Sequence, residues 1–179
     1  LLESVEGGEK WGRYTFIGAD PRAVFQVAAD NVIIRQNGQN NGEARTIPHG
    51  GDPLRHLQEL LQGCRPVHVS GLPRFYGGAV GYLGYDMVRY FERLPAETIE
   101  DLRAPDAVFM ITDTFIVFDN VRHTLKIAAC AEIAEGEELR AAYDTCTRKI
   151  DDLFALIERP PSRAVSKNAD NPTALSLKS

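Results

Sequence analysis

Hydrophobic and polar residues alternate in short bursts over much of the chain, and turn residues punctuate the bursts. Arg13 to Ile17 (RYTFI) is brief, aromatic and β-branched, and Gly18-Ala19-Asp20-Pro21 closes it as a turn. Ala23 to Ala28 (AVFQVA) and Val32 to Arg35 (VIIR) flank Asp30-Asn31, which predicts a hairpin with a tight Asx turn. Gln36 to Gly51 is rich in Asn and Gly and reads as a loop. Gly77 to Leu83 (GGAVGYL) reads as a glycine-rich strand. Ala107 to Phe118 (AVFMITDTFIVF) and Thr124 to Ala129 (TLKIAA) predict a second hairpin, joined across Asp119-Asn120.

The period changes in three places. Asp52 is a good N-cap and Pro53 suits the first helical position, while Leu54, Leu57, Leu60 and Leu61 fall on one face, so a helix is expected from Asp52 until Gly63 ends it. A short helical stretch is expected around Asp86 to Phe91. From Glu135 to Glu158, apolar residues at Leu139, Ala142, Tyr143, Cys146, Ile150, Leu153, Phe154 and Ile157 step by three and four, the stripe of a long amphipathic helix. Strands outnumber helices and pair as hairpins. The expected fold class is α+β, an antiparallel sheet with helices packed on one face.

A length of 179 residues, with 44% hydrophobic and 25% charged, suits a single soluble domain with a core of its own. No apolar run approaches the ~20 residues that span a bilayer, so no membrane partner is expected. The net charge is −5, and the basic residues are dispersed. That balance argues against nucleic acid, whose phosphates call for clustered Lys and Arg. Cys64, Cys130 and Cys146 are odd in number and lack Cys-x-x-Cys spacing, so they read as buried free thiols in a reducing cytoplasm. The tail from Arg159 to Ser179 is rich in Pro, Ser and Asn and carries no apolar period. It reads as an interdomain linker, with the folded body over residues 1–158 and the linker over 159–179 of a longer protein.

Candidate chemistry is sparse. His49, His56, His68 and His123 show no metal-ligand spacing and read as structural or surface histidines, and no Gly-x-Ser-x-Gly elbow surrounds Ser4. No catalytic residue and no metal or cofactor ligand is expected in the chain. The glycines at 77, 78, 81 and 84 interleave with Tyr76, Tyr82 and Tyr85 at sheet-like spacing. They therefore read as places where another backbone or a ring approaches a buried strand, and not as a phosphate loop. Glu6 to Gly12 (EGGEKWG) holds the single Trp and reads either as a solvated turn or as a loop over a small amphoteric ligand. In the second reading Glu3 meets an ammonium, Ser4 and Arg13 meet polar groups, and Trp11 or Tyr14 offers an aromatic face.

LLESVEGGEKWGRYTFIGADP and RFYGGAVGYLGYDMVRYFERLP together resemble the N-terminal domain of the anthranilate synthase component I family, whose close relative is aminodeoxychorismate synthase component I. The resemblance covers essentially the whole chain. It implies half of that family's sandwich, followed in the parent protein by a C-terminal chorismate-binding domain that carries the catalytic residues and the Mg2+-binding glutamates. The implied parent reaction converts chorismate and ammonia to anthranilate and pyruvate, with a glutamine amidotransferase subunit (component II) supplying the ammonia. The resemblance also implies an L-tryptophan feedback site, one wall of which is formed by Leu2, Glu3 and Ser4 and flanked by Trp11, Arg13 and Tyr14. The alternatives are the aminodeoxychorismate synthase domain of folate biosynthesis and a free-standing ligand-binding or interaction module.

Overall fold

The computed structural model describes residues 2–3, 12–18, 20–37, 44–62, 67–94, 104–131, 133, 136 and 138–160. The described strands form two antiparallel sheets. β1 (Leu2–Glu3), β2 (Tyr14–Gly18), β8 (Thr114–Asp119) and β9 (Thr124–Ala129) make a four-stranded sheet in the order β1-β2-β8-β9. β3 (Ala23–Ala28), β4 (Asn31–Gln36), β5 (Ala44–Pro48), β6 (Gly78–Leu83) and β7 (Ala107–Thr112) make a five-stranded sheet in the order β5-β4-β3-β7-β6. The described residues also form two helices, α1 (Pro53–Leu61) and α2 (Leu139–Glu158), and a 3₁₀ segment (Tyr85–Tyr90). The class is the expected α+β.

β3 shows how the local pattern becomes a core. Its odd positions Ala23, Phe25 and Val27 are buried and its even positions only half-buried, the period of two that AVFQVA carries. Phe25 and Val27 join Val32, Met87 and Ala107 in one cluster, with Leu54 and Leu57 of α1 packed against it. The second sheet has a core of its own. Phe115, Val117 and Ala128 are buried there under Tyr14, Phe16 and Tyr76, and Phe75 sets its ring edge-on to Phe16 at 5.5 Å. α1 starts where its cap predicts: the Asp52 carboxylate accepts from the Arg55 N–H (3.2 Å), and Pro53 opens the first turn. Gly63, expected to end it, lies outside the described residues.

Four expectations are corrected. The apolar run Ala107 to Phe118 is two strands in two different sheets, with Asp113 alone between them. That aspartate is held from three sides. Its carbonyl accepts from the Cys130 N–H (2.7 Å), and its carboxylate accepts from the Thr114 hydroxyl (2.8 Å) and from Lys149 Nζ (2.9 Å). Within Gln36 to Gly51, read as a loop, β5 pairs with β4 from Ala44↔Arg35 to Pro48↔Asn31. The final helix starts at Leu139 and not at Glu135, because Gly136 adopts φ +85°, outside any right-handed helix. Of its stripe only Ala142 is buried, while Leu139, Tyr143, Phe154 and Ile157 are exposed.

The fourth correction concerns the glycines. β6 is an edge strand, not a buried one, and Gly81 is exposed. The close approach is nevertheless real, since a methyl group at Gly81 would overlap the backbone of Val108 and Phe109 on β7, with its carbon 2.7 Å from Phe109 Cα. Gly84 stands in the same relation to the Asp106 carbonyl at 2.9 Å.

His49 is structural, as read from the sequence. It is buried, its Nδ1 accepts from the Gly51 N–H (3.0 Å), and its Nε2 therefore carries the hydrogen and donates to the Ala29 carbonyl (2.9 Å). Ala29 forms the β3–β4 turn at φ +49°, so the left-handed position falls on Ala29, not on Asp30-Asn31. The Tyr90 hydroxyl lies between that same carbonyl (3.1 Å) and Asp106 Oδ2 (3.0 Å). Two side chains from distant segments thus hold down one strained turn.

Candidate functional site

Of the six residues singled out as a ligand wall, the four that are described, Leu2, Glu3, Arg13 and Tyr14, lie on or beside β1 and β2 of the four-stranded sheet. β1 lies antiparallel to β2 with Leu2 opposite Phe16 and Glu3 opposite Thr15. β2 in turn pairs with β8, which places Tyr14 opposite Asp119. Arg13 immediately precedes β2. Leu2, Glu3 and Tyr14 are therefore in two neighbouring strands with Arg13 just ahead of the second, whereas Ser4 and Trp11 lie outside the described residues.

Arg13 is already engaged. Its Nε donates to Asp119 Oδ1 (3.1 Å) and its Nη2 to Oδ2 (2.8 Å), the two-point fit of a planar guanidinium to a carboxylate. Its guanidinium carbon also lies 4.9 Å from the centre of the Tyr14 ring, within cation–π range. Asp119 is 4% exposed and accepts two more bonds, from the backbone N–H groups of Val121 (3.2 Å) and Arg122 (3.1 Å). The Asn120 side chain donates to the Gly12 carbonyl and to the Thr15 hydroxyl, both at 3.2 Å, and so sews the approach to β2 onto the β8–β9 turn.

The electrostatics follow from this geometry. The hydrogen bond from Arg13 is the main cause that holds the Asp119 carboxyl down at about 2; burial opposes it, and the Arg122 N–H and the Arg13 charge assist. The same bond raises Arg13 above its ordinary value. Both groups stay ionised across the neutral range, so neither exchanges a proton there. A fixed cation over a phenol ring is equipment for holding a ligand or a strand, not for acid–base chemistry.

Asp119 is the residue that sequence reasoning missed. An aspartate at the end of an apolar strand reads as a turn residue, and its partner lies 106 positions earlier in the chain. Among the described residues, no group of three or more His, Cys, Asp or Glu side chains is placed to hold a metal ion. Among the same residues, no helix is long and apolar enough to cross a membrane.

The family model described as "chorismate binding enzyme" matches residues 4–177. The chain belongs to that family. Anthranilate synthase component 1 of Pseudomonas aeruginosa is 36% identical over 173 residues, covering 94% of this chain and 34% of the relative. The protein of the same name from Acetivibrio thermocellus is 40% identical over 127 residues, 71% of this chain and 25% of its own. This family member therefore spans only a quarter to a third of the curated relatives it matches. The crystal structure of anthranilate synthase component I from Streptococcus pneumoniae TIGR4 shares its fold, with a TM-score of 0.60 at 24% identity, over 90% of this chain and 32% of that one.

Proposed function

We propose that this chain is the N-terminal regulatory domain of anthranilate synthase component I, and that it forms one wall of an L-tryptophan feedback site. The observation that carries the reading is the likeness to anthranilate synthase component 1, which runs almost end to end here while filling only a third of the relative. In this reading residues 1–158 are the domain and 159–179 the linker toward a C-terminal chorismate-binding domain. The parent is a cytoplasmic, Mg2+-dependent lyase that converts chorismate and ammonia to anthranilate and pyruvate at the first step of tryptophan biosynthesis. Component II, a glutamine amidotransferase, supplies its ammonia. In this reading the catalytic residues belong to that second domain, and the 179-residue chain forms no anthranilate by itself.

Tryptophan is a zwitterion with a flat ring, so its pocket needs a carboxylate, hydroxyl or amide groups, and an apolar slot. Leu2, Glu3 and Ser4 supply those types, with Trp11, Arg13 and Tyr14 beside them. Arg13 enters as a frame residue, because its guanidinium donates to both carboxylate oxygens of Asp119. Bound tryptophan lowers activity by favouring a domain arrangement unfit for catalysis, and only to the extent of its differential affinity.

The test is the parent enzyme carrying Ser4→Ala, titrated with tryptophan. Leaving a buried polar partner unpaired costs about 1–3 kcal/mol. Inhibition then weakens roughly 5- to 150-fold at normal turnover. An unchanged inhibition constant removes Ser4 from the site.

A further inference from the structure

Of the sheet edges formed by the described strands, three are guarded. β5 carries Arg45 and ends at Pro48, and β1 is only two residues long. β9 carries Lys126, which donates to the Gly71 carbonyl, and has α2 packed against it. Charge, proline, shortness and a covering helix are the ordinary means by which an edge is kept from pairing with another chain. β6, the last strand of the five-stranded sheet, contains neither charge nor proline (GAVGYL), and its Gly81, Tyr82 and Leu83 are exposed. The ladder to β7 fixes which of its backbone groups turn outward. The Gly84 N–H donates to the Asp106 carbonyl (2.7 Å), and the register runs on unbroken from Leu83↔Ala107 to Gly78↔Thr112. Bonded positions alternate in an antiparallel pair, so Val80 and Tyr82 bond to β7, while Ala79, Gly81 and Leu83 direct their N–H and carbonyl groups away from it. No described strand lies beyond them. Leu83 also borders an apolar groove of about 450 Å³, whose walls include Leu54, Leu57 and Leu61 of α1 and Phe109 of β7.

We propose that β6 pairs antiparallel with β6 of a second copy of this chain across a two-fold axis at Gly81, joining two five-stranded sheets into one. The strand is its own complement. The register that engages every outward position sets Gly81 opposite Gly81 of the second copy and Ala79 opposite its Leu83, so each of these pairs exchanges two backbone hydrogen bonds. No side chain holds the backbones apart at the axis, and the small Ala79 leaves room for the large Leu83. On the other face Val80 meets Tyr82 of the second copy, a β-branched residue against an aromatic ring. No like charges face each other anywhere along the pair. The axis stands perpendicular to the sheet, so both α1 helices and both apolar grooves lie on one face, and the pairing covers the exposed Leu83 of each copy. The contact is isologous and closes at two copies, because each copy spends its one unguarded edge on the other.

The experiment takes the unaltered chain from roughly 1 μM to 1 mM, the span of weak to moderate affinities. Sedimentation velocity and light scattering give the mass, and NMR follows amide exchange residue by residue. The expected mass rises to twice the 19.8 kDa of one chain and no further. As the dimer forms, the amides of Ala79, Gly81 and Leu83 become protected and join those of Val80 and Tyr82, while protection along β5 stays as it was. That exchange pattern tests the pairing without any substitution. Leu83→Lys then places a charge beside the axis and loses the dimer at concentrations where the unaltered chain is paired, with its circular dichroism unchanged. A chain that stays monomeric throughout, assemblies larger than two copies, a dimer with no new protection at Ala79, Gly81 and Leu83, or a folded Leu83→Lys chain that still dimerises would each overturn the proposal.

Discussion

Replacing Gly81 with alanine adds one methyl group at an exposed position of an edge strand, where such a change is ordinarily harmless. Here the added carbon would overlap the Val108 carbonyl oxygen and lie 2.7 Å from both Val108 C and Phe109 Cα. All three obstacles are backbone atoms of β7, so no side-chain rotation relieves the contact. β7 is also the strand that pairs with β3 on its other edge, from Val27↔Ala107 to Ala23↔Ile111, so moving it disturbs the cluster around Phe25 and Val27. Overpacking of this kind costs about 1–3 kcal/mol, and more where the neighbour cannot yield. For a chain of this size each kcal/mol moves the melting temperature by about 2–4 °C, which gives a loss of roughly 2–12 °C. Thermal and urea unfolding of Gly81→Ala measure it directly. Gly18→Ala is the comparison, because its new methyl would meet the Thr112 hydroxyl at 3.3 Å, a contact with a side chain that has some freedom to shift. A melting temperature equal to that of the parent chain, or a Gly18 variant hurt as badly as the Gly81 variant, would refute the close-approach argument.

Two further predictions concern titration. Asp119 has its folded value lowered to about 2, so its contribution is complete above the ordinary carboxylate value near 4 and is lost as pH falls from there toward 2. Asp119→Asn should flatten the acid limb of stability between those values in urea unfolding; an acid limb as steep as the parent's would remove Asp119 as its source. Tyr90 is pushed up to about 12, first by burial and then by its hydrogen bond to Asp106, so the stability it lends is present below the ordinary value near 10 and is lost as pH rises through 12. Tyr90→Phe should cost about 1 kcal/mol at neutral pH and delete a phenol that ionises at about 12 from the ultraviolet titration, and a titration identical to the parent's would contradict the assignment.

The alternating run AVFQVA, the Asp52-Pro53 cap and the glycine-tyrosine interleaving could all be read from the sequence, because each depends on neighbours within a few residues. The two LLES and RFYGG motifs pointed to the chorismate-binding enzymes for the same reason, since they are local signatures. What the tertiary structure decided is everything that depends on residues far apart in the chain. Ala107 to Phe118 is one unbroken apolar pattern, and only the groups gathered around Asp113, from Cys130 and Lys149, turn it into two strands of different sheets. β5 has little local β-pattern and exists because β4 offers it a free edge. Arg13 was legible as a polar residue beside a candidate pocket, but its engagement with Asp119 was not, because a carboxylate 106 residues away leaves no mark on local periodicity. The helical stripe of α2 showed which residues share a face, yet periodicity is blind to how much of that face the rest of the fold covers, and Ala142 alone is buried.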